Sequence, residues 1–348
     1  MVKIAVLGAG VNGLTCAVKI KEKFKDYHVI IANEITPNTT GDGSGGLWLP
    51  YLCGNTPDHL ITKWGLLTYK FLHELWLDGG CQVCLMPIFE LSSNEEGIVQ
   101  QTWMNTVFGF QRFNKRQLEH FGKLYSTNYG SGHTFVTFVS TPPRLLAYLH
   151  QRFLKANGEI IRAKVTSLED PLLRDYDVVV NCTGLGARII VPDDEVKPIR
   201  GQVARVFVGE AMNVTFEIGT RNSKTSKMTP NIPPVIIPSA DVCILGGTHQ
   251  NDYNRQVVQE DTDFIMNGCK AMVPGLKHAK LVTHWTGLRP SRDTVRLEMD
   301  KLNGQLFIHN YGHGGSGLTL FWGCGDEVMR LLEENLNETH TSFKMSKL

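Results

Sequence analysis

The sequence predicts an α/β protein in which a Rossmann-like dinucleotide-binding domain is interleaved with a second domain built on a mixed β-sheet. Three observations carry that expectation. The opening stretch KIAVLGAGVNGLTCAVKI is an apolar run followed by Gly8, Gly10 and Gly13 in G-x-G-x-x-G spacing and then a helical pattern. The run DYDVVVNCTGLGAR ends in a small polar turn at the carboxyl end of a buried strand, where α/β sheets bind ligands. The chain has 348 residues, more than the roughly 250 to 300 at which a single core stops growing, so two interleaved domains fit better than one.

Taken in order, Lys3 to Leu7 reads as a short buried strand, Val11 to Phe24 as a helix and YHVIIANE as a second strand, which completes one βαβ unit. The stretch TPNTTGDGSGGLWLPY has no periodicity and is too glycine-rich for an ordinary surface turn, so it reads as a loop approached closely by a ligand. HLITKWGLLTYKFLHELW, residues 59–76, is a packing helix. From PIFELSS to FVTFVS strand-like runs alternate with connectors, and PPRLLAYLHQRFLKANGEI is a helix closed by Asn157-Gly158. Residues 199–285 are β-rich and read as a second sheet carrying the polar insertion GTRNSKTSKMTPNI. The last 65 residues return to a strand, a glycine-rich turn and a closing helix. The expected boundaries are 1–50, 145–195 and 285–340 for the dinucleotide-binding domain. Residues 51–144 and 196–284 form the second domain, with a lid near 216–235, and 341–348 form a tail.

Composition narrows the partners. Hydrophobic residues make up 42% and charged residues 20% of the chain, and a net charge of +1 gives no electrostatic case for nucleic acid or an anionic membrane. The eight cysteines are scattered and read as reduced thiols; the lone Cys81-Gln-Val-Cys84 lacks the second pair a zinc site needs, so no metal is expected. The N-terminal apolar run is too short for a secretory signal, and no stretch approaches the roughly 20 apolar residues of a membrane span. The terminal Ser346-Lys347-Leu348 is the tripeptide read by the peroxisomal import receptor, which predicts a peroxisomal matrix address. The oligomeric state is left open, a homodimer included.

Within the fingerprint, Gly8 allows the tight turn, Gly10 lets the backbone approach a pyrophosphate, and Gly13 permits close packing of helix on strand. Val11 and Asn12 open the helix, whose amino end favours anions. Either Asn33 or Glu34, at the end of the second strand, is positioned for the ribose hydroxyls. These glycines alone do not choose between NAD and FAD.

The order of GAGVNG, TPNTTGDGSGGLWLPY, DVVVNCTGLGAR, PIRGQV, GGTHQ, TGLRP and HNYGHGGSGLT, spread from residue 8 to 323, resembles the D-amino-acid oxidase and D-aspartate oxidase family of peroxisomal FAD enzymes. The resemblance implies FAD as cofactor and oxidative deamination of D-amino acids to 2-oxo acids, with ammonia and hydrogen peroxide as the other products, by hydride transfer from Cα to the flavin. It implies that Thr39 and Thr40 add hydroxyl contacts to the pyrophosphate, and that Gly45, Gly46 and Leu47 line the isoalloxazine. Val165 would adjoin the adenine, Cys182, Thr183 and Gly184 the nucleotide half, and Gly314, Gly317, Leu318 and Thr319 the pyrimidine side of the flavin. A glycine-rich turn opening a helix suits that last task, because its N–H groups and dipole stabilise negative charge on a reduced ring.

For the substrate, the family resemblance assigns Arg289 of TGLRP as the carboxylate clamp, a task suited to a planar guanidinium, with Pro290 fixing a turn there. The Gly315 carbonyl would accept from the substrate amine, and Ser316 would limit the pocket. No side-chain base is required. The chain departs from the family at the lid, where a tyrosine is replaced by Val235 in PPVIIP, and the preceding insertion carries Arg221, Lys224 and Lys227 as candidates for a substitute contact. A second departure, Gly325 where alanine is usual, is expected to be harmless. His249 stands where the aspartate-selective branch has arginine and favours an acidic substrate, whereas Trp48 and Leu49 resemble the neutral-substrate branch. Tyr311 and His313 are expected to support the flavin turn rather than transfer protons. The alternatives are a D-aspartate or D-glutamate oxidase of the same family, an NAD-dependent dehydrogenase, and a flavin binder without activity.

Overall fold

In a computed structural model the chain is described over residues 2–24, 28–81, 83–95, 100–126, 128–208, 216–220 and 235–345. Strand β1 (Ile4–Ala9), helix α1 (Val11–Lys23) and strand β2 (His28–Ile35) form the expected βαβ unit. Helix α2 (Asp58–Leu77) precedes β3 (Cys84–Ser92) and β4 (Phe108–Arg112). Helix α3 (Lys115–Tyr125), β5 (Ser131–Val139), α4 (Pro142–Lys155), β6 (Glu159–Arg162) and β7 (Val178–Asn181) follow. Then come α5 (Ala187–Ile190), β8 (Lys197–Phe207), β9 (Phe216–Thr220), β10 (Val235–Pro238), β11 (Cys243–Gly246) and α6 (Gln259–Met272). The chain closes with β12 (Lys280–Leu302), β13 (Gln305–His313) and α7 (Gly317–Met345).

One nine-stranded sheet runs β10-β11-β8-β12-β13-β7-β1-β2-β6. From β13 to β6 its strands are parallel, and from β10 to β13 every neighbouring pair is antiparallel. The parallel half is buried on both faces: Ile4 and Val6 of β1 pack into one apolar cluster while Ala5 and Leu7 pack into the other. That double burial is why VVVN and IAVL read as continuous apolar runs rather than alternating ones. Helices α1, α2, α4 and α7 pack against one another on one side, tied by a 2.6 Å Lys19–Asp326 ion pair between α1 and α7.

The strands expected to form a second sheet, β8, β10 and β11, instead continue the first one, because the 23-residue β12 pairs with β8 along its first half and β13 along its second. The separate sheet is four-stranded, β4-β5-β3-β9, and draws mainly on residues 84–139. Arg289-Pro290 is also no turn: both residues lie within β12, opposite Ile199 and Pro198 of β8. Three helices were not legible, the four-residue α5 among them. The α6 sequence carries Asn267-Gly268, a turn signal that burial of Ile265 and Cys269 overrides. Helix α3 buries no residue and is held at its start by reciprocal bonds between Asn114 and Gln117, of 3.0 and 2.9 Å.

Candidate active site

The carboxyl ends of β1 and β7, the position a doubly wound sheet offers to ligands, open into a cavity of about 960 Å³. At one end it is lined by Gly8, Gly10, Val11, Asn12, Asn33, Glu34 and Val165, and beside them by Cys182, Thr183 and Gly184. Gly8 takes φ +96°, and a Cβ there would meet the Cys182 carbonyl oxygen at 2.7 Å. A Cβ at Gly10 would meet nothing within 4 Å, so the helix start is bare backbone facing the cavity. Gly13 does not line it; its place is against the Gly8 carbonyl, 1.9 Å from where a Cβ would stand, which is the close packing expected of it. Asn33 and Glu34 both line the cavity, and Arg255 lies 4.0 Å from the Glu34 carboxylate.

The other end is built from two glycine-rich turns. Gly45, Gly46 and Leu47 line it from one side, and Gly314, Gly315, Gly317 and Leu318 from the other. Gly314, at φ +54°, would drive a Cβ to 2.1 Å from the Leu52 carbonyl oxygen, so only glycine closes this turn. Its N–H donates to Pro290 O at 2.8 Å, which fastens the turn to the strand carrying Arg289. The amino end of the 29-residue α7 opens here, as that of α1 does at the far end, so both helix dipoles favour negative charge in the cavity.

Four buried polar atoms in its wall have no partner among the described residues: Asn12 Oδ1, Ser44 Oγ, Trp285 Nε1 and His313 Nε2. Burial pushes His313 down to about 4, so its ring is neutral at ordinary pH. Asn12 Nδ2 lies 3.2 Å from its Nδ1; with the amide donating, the ring hydrogen sits on Nε2, an unmatched donor. Bare helix starts, glycine cradles and unmatched polar atoms along an elongated cavity are what a flavin dinucleotide requires, and the residues present fit it.

Arg289 stands beside the glycine turn. Its guanidinium lies flat on Gly201, where a Cβ would come within 2.3 Å of both Nη atoms, and Nη1 donates to Thr248 O at 3.3 Å. Among the described residues no carboxylate lies within 4 Å of it. Desolvation lowers its basicity, partly offset by Tyr51. Tyr51 lines the cavity, its ring lies against Gly315, and burial raises its phenol above the ordinary value while Arg289 opposes the shift. The sequence reading missed Tyr51, although it closes the quoted GLWLPY stretch, and missed Gly201 within PIRGQV.

Several expected contacts are arranged differently. Ser316 does not line the cavity: its hydroxyl accepts from Tyr51 N at 2.7 Å and from Cys53 Sγ at 3.1 Å and donates to Tyr51 O at 2.8 Å. Thr319 likewise points away and donates to Leu49 O at 2.9 Å. Thr39 and Thr40 line the cavity, but their hydroxyls already donate to Asp42 Oδ2 at 2.6 Å and Leu288 O at 3.2 Å. His249 is not a lining residue either; burial and the nearby Arg289 guanidinium both lower its basicity, and its Nδ1 is buried without a partner among the described residues. Tyr311 donates to Asp193 at 2.8 Å, accepts from Arg296 at 2.8 Å, and is absent from the cavity wall. Trp48 is fully buried, with Nε1 donating to Gly65 O at 3.1 Å, whereas Leu49 does line the cavity. Val235 lines it from β10, while Arg221, Lys224 and Lys227 lie outside the described residues. Cys182 packs with its sulfur 3.9 Å from Cys16, and burial raises its thiol far above the ordinary value, so it is no nucleophile.

The chain is 35% identical over 350 residues to a D-amino acid oxidase of Dugesia ryukyuensis, covering 96% of this chain and 98% of that one. It is 31% identical to a D-aspartate oxidase of Homo sapiens, covering 99% of each. Among solved structures, glycine oxidase from Geobacillus kaustophilus superposes with a TM-score of 0.76 at 15% identity, covering 96% of this chain and 95% of that one, which shows a shared fold. With the cavity's geometry and a match over residues 3–331, the chain belongs to the FAD dependent oxidoreductase family.

Proposed function

We propose that the chain oxidises D-amino acids at the Arg289 end of the cavity, turning substrate, oxygen and water into a 2-oxo acid, ammonia and hydrogen peroxide. The observation that carries this reading is Arg289 itself, a desolvated guanidinium in the cavity wall that meets one carbonyl and, among the described residues, no carboxylate within 4 Å. Such a cation is completed by a substrate carboxylate held by its planar fork. FAD, when bound, supplies the electron acceptor for oxidation of the amine. The chain's own part is positioning: Arg289 fixes the carboxylate, the Gly315 carbonyl receives the amine, and Tyr51 walls the same end. The neutral His313 ring is committed to Asn12, which supports a reaction without a side-chain base. The names of the relatives support the D-amino acid class.

A D-aspartate oxidase is the second reading, supported by the D-aspartate oxidase of Homo sapiens among the relatives. Peroxide release from a panel of neutral, basic and acidic D-amino acids, with their L enantiomers as controls, tests both. The oxidase reading expects a yellow protein active on D forms alone; silence across the panel overturns it, and a preference for D-Asp selects the second reading. The terminal Ser346-Lys347-Leu348 supports import into peroxisomes. Deleting those three residues should leave a fluorescently tagged chain in the cytosol, and unchanged peroxisomal location would overturn the address.

A further inference from the structure

Two acidic side chains line the cavity among the described residues, and they stand on different sheets. Glu34 ends β2, at the nucleotide end, with Arg255 as neighbour. Glu90 stands in β3 of the four-stranded sheet and has no part in the dinucleotide cradle. Its side chain is 17% exposed. Directly across the strand pair is His133 of β5, buried to 2%, with Nε2 at 2.7 Å from Glu90 Oε2. The ring is off line for a hydrogen bond, so the contact is ionic at most. Among the described residues no lysine or arginine lies within 4 Å of this carboxylate. On its other edge β3 pairs with β9, Glu90 beside Ile218.

A largely buried carboxylate facing a cavity without a lysine or arginine partner is costly unless a cation reaches it. The same cavity holds Arg289 in its wall, a cation with no carboxylate within 4 Å among the described residues. Arg289 and Glu90 therefore set a cation and an anion in one wall, which matches a zwitterion with an anionic head and a cationic tail and opposes an acidic tail. We propose that Glu90 reads the substrate's side chain, favouring D-amino acids with a guanidinium or ammonium group, such as D-Arg and D-Lys, over D-Asp and D-Glu. This rests on the oxidase reading, with Arg289 holding the carboxylate.

The test compares kcat/KM for D-Arg, D-Lys, D-Met and D-Asp in the flavin-loaded parent, Glu90→Gln and Glu90→Lys. The parent should prefer D-Arg or D-Lys to D-Asp. Glu90→Gln, which keeps the side chain's shape, should lose at least about tenfold on D-Arg, carried by KM, and less than about threefold on D-Met. Glu90→Lys should move the preference toward D-Asp. Equal losses on D-Met and D-Arg would reduce Glu90 to a structural partner of His133, and an unchanged D-Arg value would remove it from the substrate's reach; either overturns the proposal. In both cases D-Met oxidation by the parent still stands for the oxidase reading, whereas a parent silent on all four substrates overturns that reading itself.

Discussion

Replacing Gly201 by alanine should disable the clamp while sparing the fold. The added Cβ would lie 2.3 Å from both Nη atoms of Arg289 and 2.5 Å from Cζ, against the 3.4 Å at which ordinary contact begins. The clash is relieved by moving the guanidinium about 1 Å, since it is the far end of a flexible side chain while Gly201 is held in register between β12 and the network of Arg200. That move breaks the 3.3 Å bond to Thr248 O and shifts the fork off the substrate carboxylate. A misplacement of about 1 Å is worth on the order of 10²-fold in rate, or about 2.7 kcal/mol. Oxygen uptake with the best D-amino acid substrate should therefore show kcat/KM down about 10²-fold, with flavin content and melting temperature close to the parent. In an Arg289→Ala background the same substitution should cost nothing further, because the group it displaces is gone. A Gly201→Ala enzyme within threefold of the parent, or an additive loss in the double variant, would refute the reasoning.

Ser316→Ala should leave Tyr51 N–H without its 2.7 Å acceptor, a loss of about 1 to 3 kcal/mol, seen as a lower melting temperature together with a raised KM as the Tyr51 ring loosens from Gly315. His313 titrates near 4 when folded but near 6.5 when unfolded. The unfolded chain thus binds the proton first, and stability present above about pH 6.5 is lost as pH falls toward 4, by on the order of 3 kcal/mol. His309, held to about 4 by burial and Arg296, adds to the fall in the same window. Denaturant midpoints at pH 7 and pH 4.5 should therefore converge partly, not wholly, in His313→Gln. Arg289→Lys should retain flavin yet raise KM, since an ammonium cannot hold a carboxylate by two parallel bonds.

The parts of the fold legible in the sequence are those where one local pattern has one meaning. The βαβ unit and β7 are doubly buried, so their residues read as apolar without reference to partners. The joining of β8, β10 and β11 to the same sheet was hidden because pairing is a property of β12, whose 23 residues serve two neighbours in turn, and composition is blind to which edge a strand meets. Helix α6 was hidden for a different reason: its Asn267-Gly268 obeys local turn chemistry, and only tertiary burial of the residues around it overrules that preference.

The site divides along the same line. Gly8 and Gly314 take positive φ and Gly13 packs on Gly8, all needs set inside one motif, so their meaning travels with it. Hydroxyls do not behave that way, because a serine or threonine beside a ligand loop has backbone acceptors within reach as well. Ser316 and Thr319 were expected at the ligand, yet they hold the 49–51 segment, which in turn places Tyr51 against Gly315. Gly201 reaches Arg289 across 88 positions of chain, through the pairing of β8 with β12 and the space its missing Cβ leaves. Glu90 stands further still from Arg289 in sequence, on a different sheet, and the two share a cavity only because both sheets border it. The backbone cradle is thus a property of motifs, whereas the charges facing the substrate are a property of how the sheets are assembled.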